Sequence, residues 1–188
     1  MNLPNRLTLA RIFLVPVFAL LAALALRNGS RLLYFLAGAV FAAASLTDLL
    51  DGAIARKQHL VTNFGKFADP LADKILTTAA FLYLQQEGVC DPAAIILILF
   101  REFAVSGLRM LAAGSGGGQV IAANIWGKMK TVTMMLSILF FYFGSAILPA
   151  AVPVRPISSV LCWICAASTL ISGLTYFAAC RDLFRDSM

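Results

Sequence analysis

The segment Asp48–Lys74, DLLDGAIARKQHLVTNFGKFADPLADK, sets aspartates at 48, 51, 69 and 73 into a chain otherwise apolar enough for lipid. A carboxylate at the centre of a membrane helix costs ~2.5–3.5 kcal/mol on insertion scales. Acids grouped in this way therefore need a compensating partner, and the rest of the sequence shows what kind.

The 188 residues are 61% apolar and 13% charged, with a mean hydropathy of +0.87, outside the soluble range. Thr131–Val154 runs 24 residues without a charge and Pro156–Cys180 runs 25. Each exceeds the ~20 residues that cross a bilayer as a helix, so the sequence reads as an integral membrane protein embedded among membrane lipids. The net charge of +6 forms no basic tract, which argues against nucleic acid as a partner. Cys90, Cys162, Cys165 and Cys180 lie mostly in apolar stretches, where cysteine behaves as a small hydrophobe. The Cys162-x-x-Cys165 pair lacks a second ligand pair and reads as core packing. Arg6 followed by an apolar stretch imitates a signal peptide, but Arg11 interrupts the run and further spans follow, so a retained first helix is expected.

The pattern predicts an all-α protein of one domain, 1–188, with six transmembrane helices. They are expected over Asn5–Leu26, Arg31–Arg56, Asp69–Gln86, Asp91–Ala112, Asn124–Leu148 and Pro156–Cys180. With both termini inside, inside segments hold Arg6, Arg11, Arg56, Lys57, Lys66, Arg109, Lys128, Lys130, Arg181 and Arg185, and outside segments hold only Arg27, Arg31 and Arg155. That bias puts the termini and the loop after Arg56 on the cytoplasmic side of the cell membrane. Gly114–Gly118 lacks the Gly-Lys-Ser/Thr that completes a P-loop and reads as a connector. His59 reads as a solvated loop residue.

Asp48 and Asp51 are three apart, and Asp69 and Asp73 four apart, so each pair shares a helix face. Pro70 suits the first turn of the third helix. A short loop makes the two helices antiparallel neighbours, so the four carboxylates can converge near the cytoplasmic headgroups. Oxygen-only ligands without His or Cys select a hard cation, Mg²⁺, Mn²⁺ or Ca²⁺. Two such ions on four aspartates would clamp phosphoryl oxygens. Gly52 and Gly65 leave room for a ligand close to the backbone. Two other readings stay open: ion pairing of the acids with Arg56, Lys57, Lys66 and Lys74, and a divalent-cation transport path.

Asp48-x-x-Asp51-Gly52-x-x-Ala55-Arg56, eight residues, then Gly65-x-x-x-Asp69-x-x-x-Asp73 resembles the signature of the CDP-alcohol phosphotransferase family, with every fixed position present. The resemblance implies a homodimeric enzyme of six transmembrane helices that displaces CMP from a CDP-linked donor. It implies that Asp48, Asp51, Asp69 and Asp73 hold two ions, Mg²⁺ or Mn²⁺, on the donor pyrophosphate, and that Asp73 also takes the acceptor's proton. Gly52, Ala55, Arg56, Gly65 and Thr62 would face the CDP portion.

A narrower similarity is to the bacterial branch that makes phosphatidylglycerophosphate from CDP-diacylglycerol and sn-glycerol 3-phosphate. It rests on Asn2–Arg11, Asp69–Lys74, Arg101-Glu102-Phe103 with Arg109, and Gly127–Thr131. Inositol phosphate, serine and phosphatidylglycerol remain alternative acceptors within the family. A dianionic acceptor needs fixed cations, and Arg109, Lys128, Lys130 and Arg101 are the candidates for its phosphate. Arg101 reads equally as a buried pair with a neighbouring acid, and Glu102 as the residue that orients an arginine such as Arg109. Lys128 and Lys130 also read as orientation signal alone. Asn5, Thr8 and Arg11 recur at about one turn and would line the nucleotide side, or else cap and snorkel at the interface.

Overall fold

The computed structural model describes the backbone of residues 3–58, 63–114 and 125–179, and the side chains of 8–47, 71–108 and 125–178. Described residues form six helices and no strand: α1 (Leu3–Asn28), α2 (Arg31–Gln58), α3 (Asn63–Gln86), α4 (Pro92–Gly114), α5 (Ile125–Ile147) and α6 (Val154–Ala179). Three of them are long and apolar enough to cross a membrane, over Thr8–Asn28, Ile125–Ile147 and Val154–Ala178, and Arg31–Thr47 is a shorter apolar stretch. Large apolar side chains face outward along these helices, Phe13 at 71%, Leu20 at 62% and Leu174 at 71% exposure. A surface of that kind is suited to lipid tails and unlike that of a soluble monomer. The chain is a membrane protein.

Helix ends follow local chemistry. Gly29 and Gly88 adopt left-handed backbone, φ 60° and 71°, just beyond α1 and α3, a conformation that L side chains enter only with strain. Their amides return to Ala25 O at 2.8 Å and Gln85 O at 2.9 Å. Asp91 caps α4, its Oδ1 accepting from Ala93 N at 2.7 Å, and Pro92 fills the first helical position, where no N–H is needed. Five helices begin and end within two residues or so of expectation. The third differs: α3 starts at Asn63, so Pro70 lies inside the helix and not in its first turn. A mid-helix proline costs ~3 kcal/mol. Ending the helix at Asp69 would strip a whole turn of backbone groups of their partners, which is worse in a lipid setting.

The chain divides into two compact units, Met1–Gly88 with Ile138–Arg155, and Val89–Ser137 with Pro156–Met188. In the first, α1 packs against both α2 and α3, and α2 touches α3. Phe18 of α1 is its hub, with ring centroids 5.8 Å from Phe41, 6.4 Å from Tyr83 and 5.5 Å from Tyr142. One end of this unit is closed by Glu87, whose side chain is 4% exposed. Tyr34 Oη donates to Glu87 Oε1 at 2.5 Å. Arg155 donates to Glu87 Oε2 at 2.7 Å and to the Glu87 carbonyl at 2.8 Å.

In the second unit, α4, the first part of α5 and α6 enclose Ile98, Val105, Met134, Cys162, Cys165 and Ala166. A polar seam runs through it: Thr133 Oγ1 and Ser168 Oγ are 2.9 Å apart, and Ser137 Oγ and Cys162 Sγ 3.4 Å apart.

The Glu87 clasp ranks two substitutions. Tyr34→Phe removes a bond to a buried carboxylate and should lower stability by about 1.5–3 kcal/mol. Arg155, 63% exposed, should cost about 1 kcal/mol or less on change to Ala. Thermal unfolding in detergent checks this, and the reverse order would refute the ranking.

Candidate active site

The start of α2 meets the end of α3 through Tyr34 and Glu87, while residues 59–62 join their other ends. The two helices therefore run in opposite directions. Tyr34 to Asp48 and Asp73 to Glu87 are equal intervals of sequence, about 21 Å of helix at 1.5 Å per residue. Asp51 and Asp69 lie about one turn farther from the clasp, again at matching levels.

On α2, Tyr34, Ala37, Phe41, Ala44 and Ser45 form a buried stripe at helical spacing. On α3, Ala72, Leu76, Thr77 and Ala80 are buried while Leu71 and Ile75 are exposed. Asp73 stands one turn before Leu76 and Thr77, half-buried. Thr77 Oγ1 donates to Asp73 O at 3.0 Å and to Lys74 O at 3.2 Å, which holds the backbone of that turn. The side chains of Asn5, Asp48, Asp51, Gly52, Ala55, Arg56, Gly65, Asp69 and Arg109 lie outside the described residues, as does Thr62 altogether.

Thr8 and Arg11 of α1 are both fully buried. Arg11 Nε donates to Ala44 O at 3.3 Å, one turn of α2 before Asp48. A snorkelling arginine would leave its tip exposed, so burial overturns that reading of Arg11. Its guanidinium instead brings a fixed positive charge to the level of the aspartate positions.

The basic residues of the second unit separate into different environments. Lys128 and Lys130 are two apart, about 200° around a helix, so they cannot share a face. Lys128 is exposed, whereas Lys130 is buried and donates to Glu102 Oε1 at 2.7 Å. Arg101, also buried, donates through Nη1 to the same oxygen at 3.0 Å and through Nη2 to Ser172 Oγ at 2.6 Å. Its guanidinium carbon lies 5.5 Å from the centre of the Tyr176 ring, within cation–π range. Arg101 is thus paired with its neighbouring acid, and Glu102 holds Lys130 from α5 together with Arg101.

Ser172 and Tyr176 were not among the expected site residues. Their signal was faint: polar groups in a span that is otherwise apolar. Cys90, Cys162 and Cys165 are buried free thiols. The neighbouring Cys162 and burial together push the Cys90 thiol well above its ordinary value, which suits packing and not nucleophilic chemistry. Cys180 lies outside the described residues.

Comparison with known proteins adds an independent finding. A CDP-alcohol phosphatidyltransferase family model matches residues 1–171. A CDP-diacylglycerol–glycerol-3-phosphate 3-phosphatidyltransferase of Bacillus subtilis is 42% identical over 185 residues, covering 94% of each chain. One from Rickettsia typhi is 39% identical over 183 residues, 97% of this chain and 99% of that one. A probable phosphatidylglycerophosphate synthase of Mycobacterium tuberculosis is 38% identical over 184 residues, 97% of this chain and 83% of that one. With a family model matched over residues 1–171 and relatives matched over nearly its full length, the chain belongs to the CDP-alcohol phosphatidyltransferase family.

Proposed function

We infer that this chain is a transferase that moves the phosphatidyl group from CDP-diacylglycerol to sn-glycerol 3-phosphate, giving phosphatidylglycerophosphate and CMP. The finding that carries the reading is about 40% identity, over nearly the full chain, with relatives of that named activity; the equal sequence intervals that separate positions 48 and 73 from the Glu87 clasp support it. Six spans, both termini in the cytoplasm and an active site at the cytoplasmic face of the cell membrane complete the proposal, supported by the Lys and Arg distribution. The whole chain, 1–188, works as one catalytic domain, and its working form is a homodimer.

The donor set of the four aspartates is oxygen only, which fits two Mg²⁺ or Mn²⁺ ions. Such ions, when bound, would neutralise the donor pyrophosphate and the charge that builds on the leaving CMP. The chain's own residues do the rest. The carboxylate of Asp73 accepts the proton of the acceptor's primary hydroxyl. That oxygen bonds to the phosphorus bearing the diacylglycerol, and the bond from this phosphorus to the CMP oxygen breaks, CMP keeping the electron pair. Asn5, Thr8, Gly52, Ala55, Arg56, Thr62 and Gly65 accommodate the CDP portion, and the buried charge of Arg11 supports the anionic donor. Arg109 and at least one of Lys128 and Lys130, which lie on different faces of α5, serve the phosphate of the acceptor, with Arg101 contributing charge behind them.

An acceptor panel tests the reading. Purified protein with CDP-diacylglycerol and Mg²⁺ or Mn²⁺ should release CMP on addition of glycerol 3-phosphate. Release only with inositol phosphate, serine or phosphatidylglycerol would keep the family and overturn this acceptor. Cation flux through proteoliposomes without CDP-lipid would favour a transporter instead.

Asp73→Asn should lower turnover by two orders of magnitude or more, since a positioned base contributes typically about 10²–10⁴-fold, while CDP-diacylglycerol binding stays measurable. Near-normal turnover would remove Asp73 as the base. Neutralising Lys128 should raise the KM for glycerol 3-phosphate more than the KM for CDP-diacylglycerol, and equal changes in both would count against its role.

A further inference from the structure

The second unit buries two cations against one anion. Arg101 and Lys130 have side chains 7% and 9% exposed, and both donate to a single oxygen, Glu102 Oε1. Ser172 and the Tyr176 ring add polar and π contacts to Arg101 but no negative charge. Among the described residues, the cluster therefore keeps one net positive charge away from water. Its donors are also underused: Arg101 Nε is buried with no hydrogen-bond partner, and Glu102 accepts only one of the three N–H bonds that Lys130 offers. Uncompensated charge and idle donors in a low-dielectric interior are costly. A purely structural seam would sooner carry a second acid or an apolar residue there. The combination is suited to an anion that arrives later.

We propose that Glu102 is a positioning residue for acceptor recognition, fixing the Lys130 ammonium through a shared oxygen with Arg101 so that the remaining Lys130 donors meet the acceptor's phosphate. The inference rests on the glycerol-phosphate reading above and deepens it. A lysine ammonium on four methylenes is mobile, and its rotamer freedom costs up to ~2 kcal/mol to restrict. Glu102 restricts it in advance through the 2.7 Å bond to the ammonium. Glu102 touches no substrate in this scheme and acts through Lys130.

The test uses full-length enzyme with CDP-diacylglycerol and glycerol 3-phosphate. Glu102→Gln should raise the KM for glycerol 3-phosphate about 10- to 100-fold, the loss expected when a charge-assisted bond is removed, with the KM for CDP-diacylglycerol changed by less than about twofold. Glu102→Asp should fall between, because charge is kept but reach is shortened. Since Glu102 acts through Lys130, the double variant Glu102→Gln/Lys130→Met should be no worse than Lys130→Met alone. A purely structural Glu102 would lower the unfolding temperature and leave both KM values in place, and that result overturns the proposal. If Glu102→Gln does not accumulate, the Glu102→Asp measurement decides, an unchanged acceptor KM again overturning it. A wild-type chain that ignores glycerol 3-phosphate overturns the acceptor reading and this inference with it. A wild type that uses it beside an indifferent Glu102→Gln overturns this inference alone.

Discussion

The Glu87 carboxylate is where the first unit is put in register. It ties the start of α2, through Tyr34, to the end of α3 and to Arg155 at the head of α6. A helix has no side-to-side hydrogen bonds to set its level against a neighbour, and apolar packing alone tolerates sliding. A buried acid with two obligatory donors does not, since a slip of one turn would strand its charge. Position 48 of α2 and position 73 of α3 lie at equal sequence intervals from this clasp, about 21 Å of helix.

The second unit handles charge by a different arrangement. Glu102 there receives two cations, Arg101 and Lys130, and among the described residues the balance is left positive. In the first unit Arg11 is a buried cation one turn of α2 before position 48. Both suit the proposed reaction: fixed cations for the phosphate of an acceptor, and a buried guanidinium for an anionic donor.

Much of this was legible in the residues. Uncharged runs of 24 and 25 residues located the fifth and sixth helices closely, and intervals of three and four assigned each aspartate pair to one face. The start of α3 was misread because Pro70 carries a local preference for a first turn, and local preference yields to the need for helical hydrogen bonds before it. Glu102 reads from sequence as the residue that orients an arginine, and Arg101 is one such partner, while Arg109, one heptad away, lies outside the described side chains. The other partner of Glu102, Lys130, is on α5, beyond the reach of any periodicity. Arg11 was read with an interfacial alternative that its full burial removes.

The sequence by itself determined that this is a helical membrane protein, where its helices run, and which carboxylates share a face. These follow from hydropathy and from the 3.6-residue period, which are properties of each segment alone. The tertiary structure decided the clasp of Tyr34 and Arg155 on Glu87, the burial of Thr8 and Arg11, and the division of Lys128 from Lys130 into exposed and buried. Those depend on which helix lies beside which and at what height. A buried charge finds its partner through space, and distance along the chain carries no record of that choice.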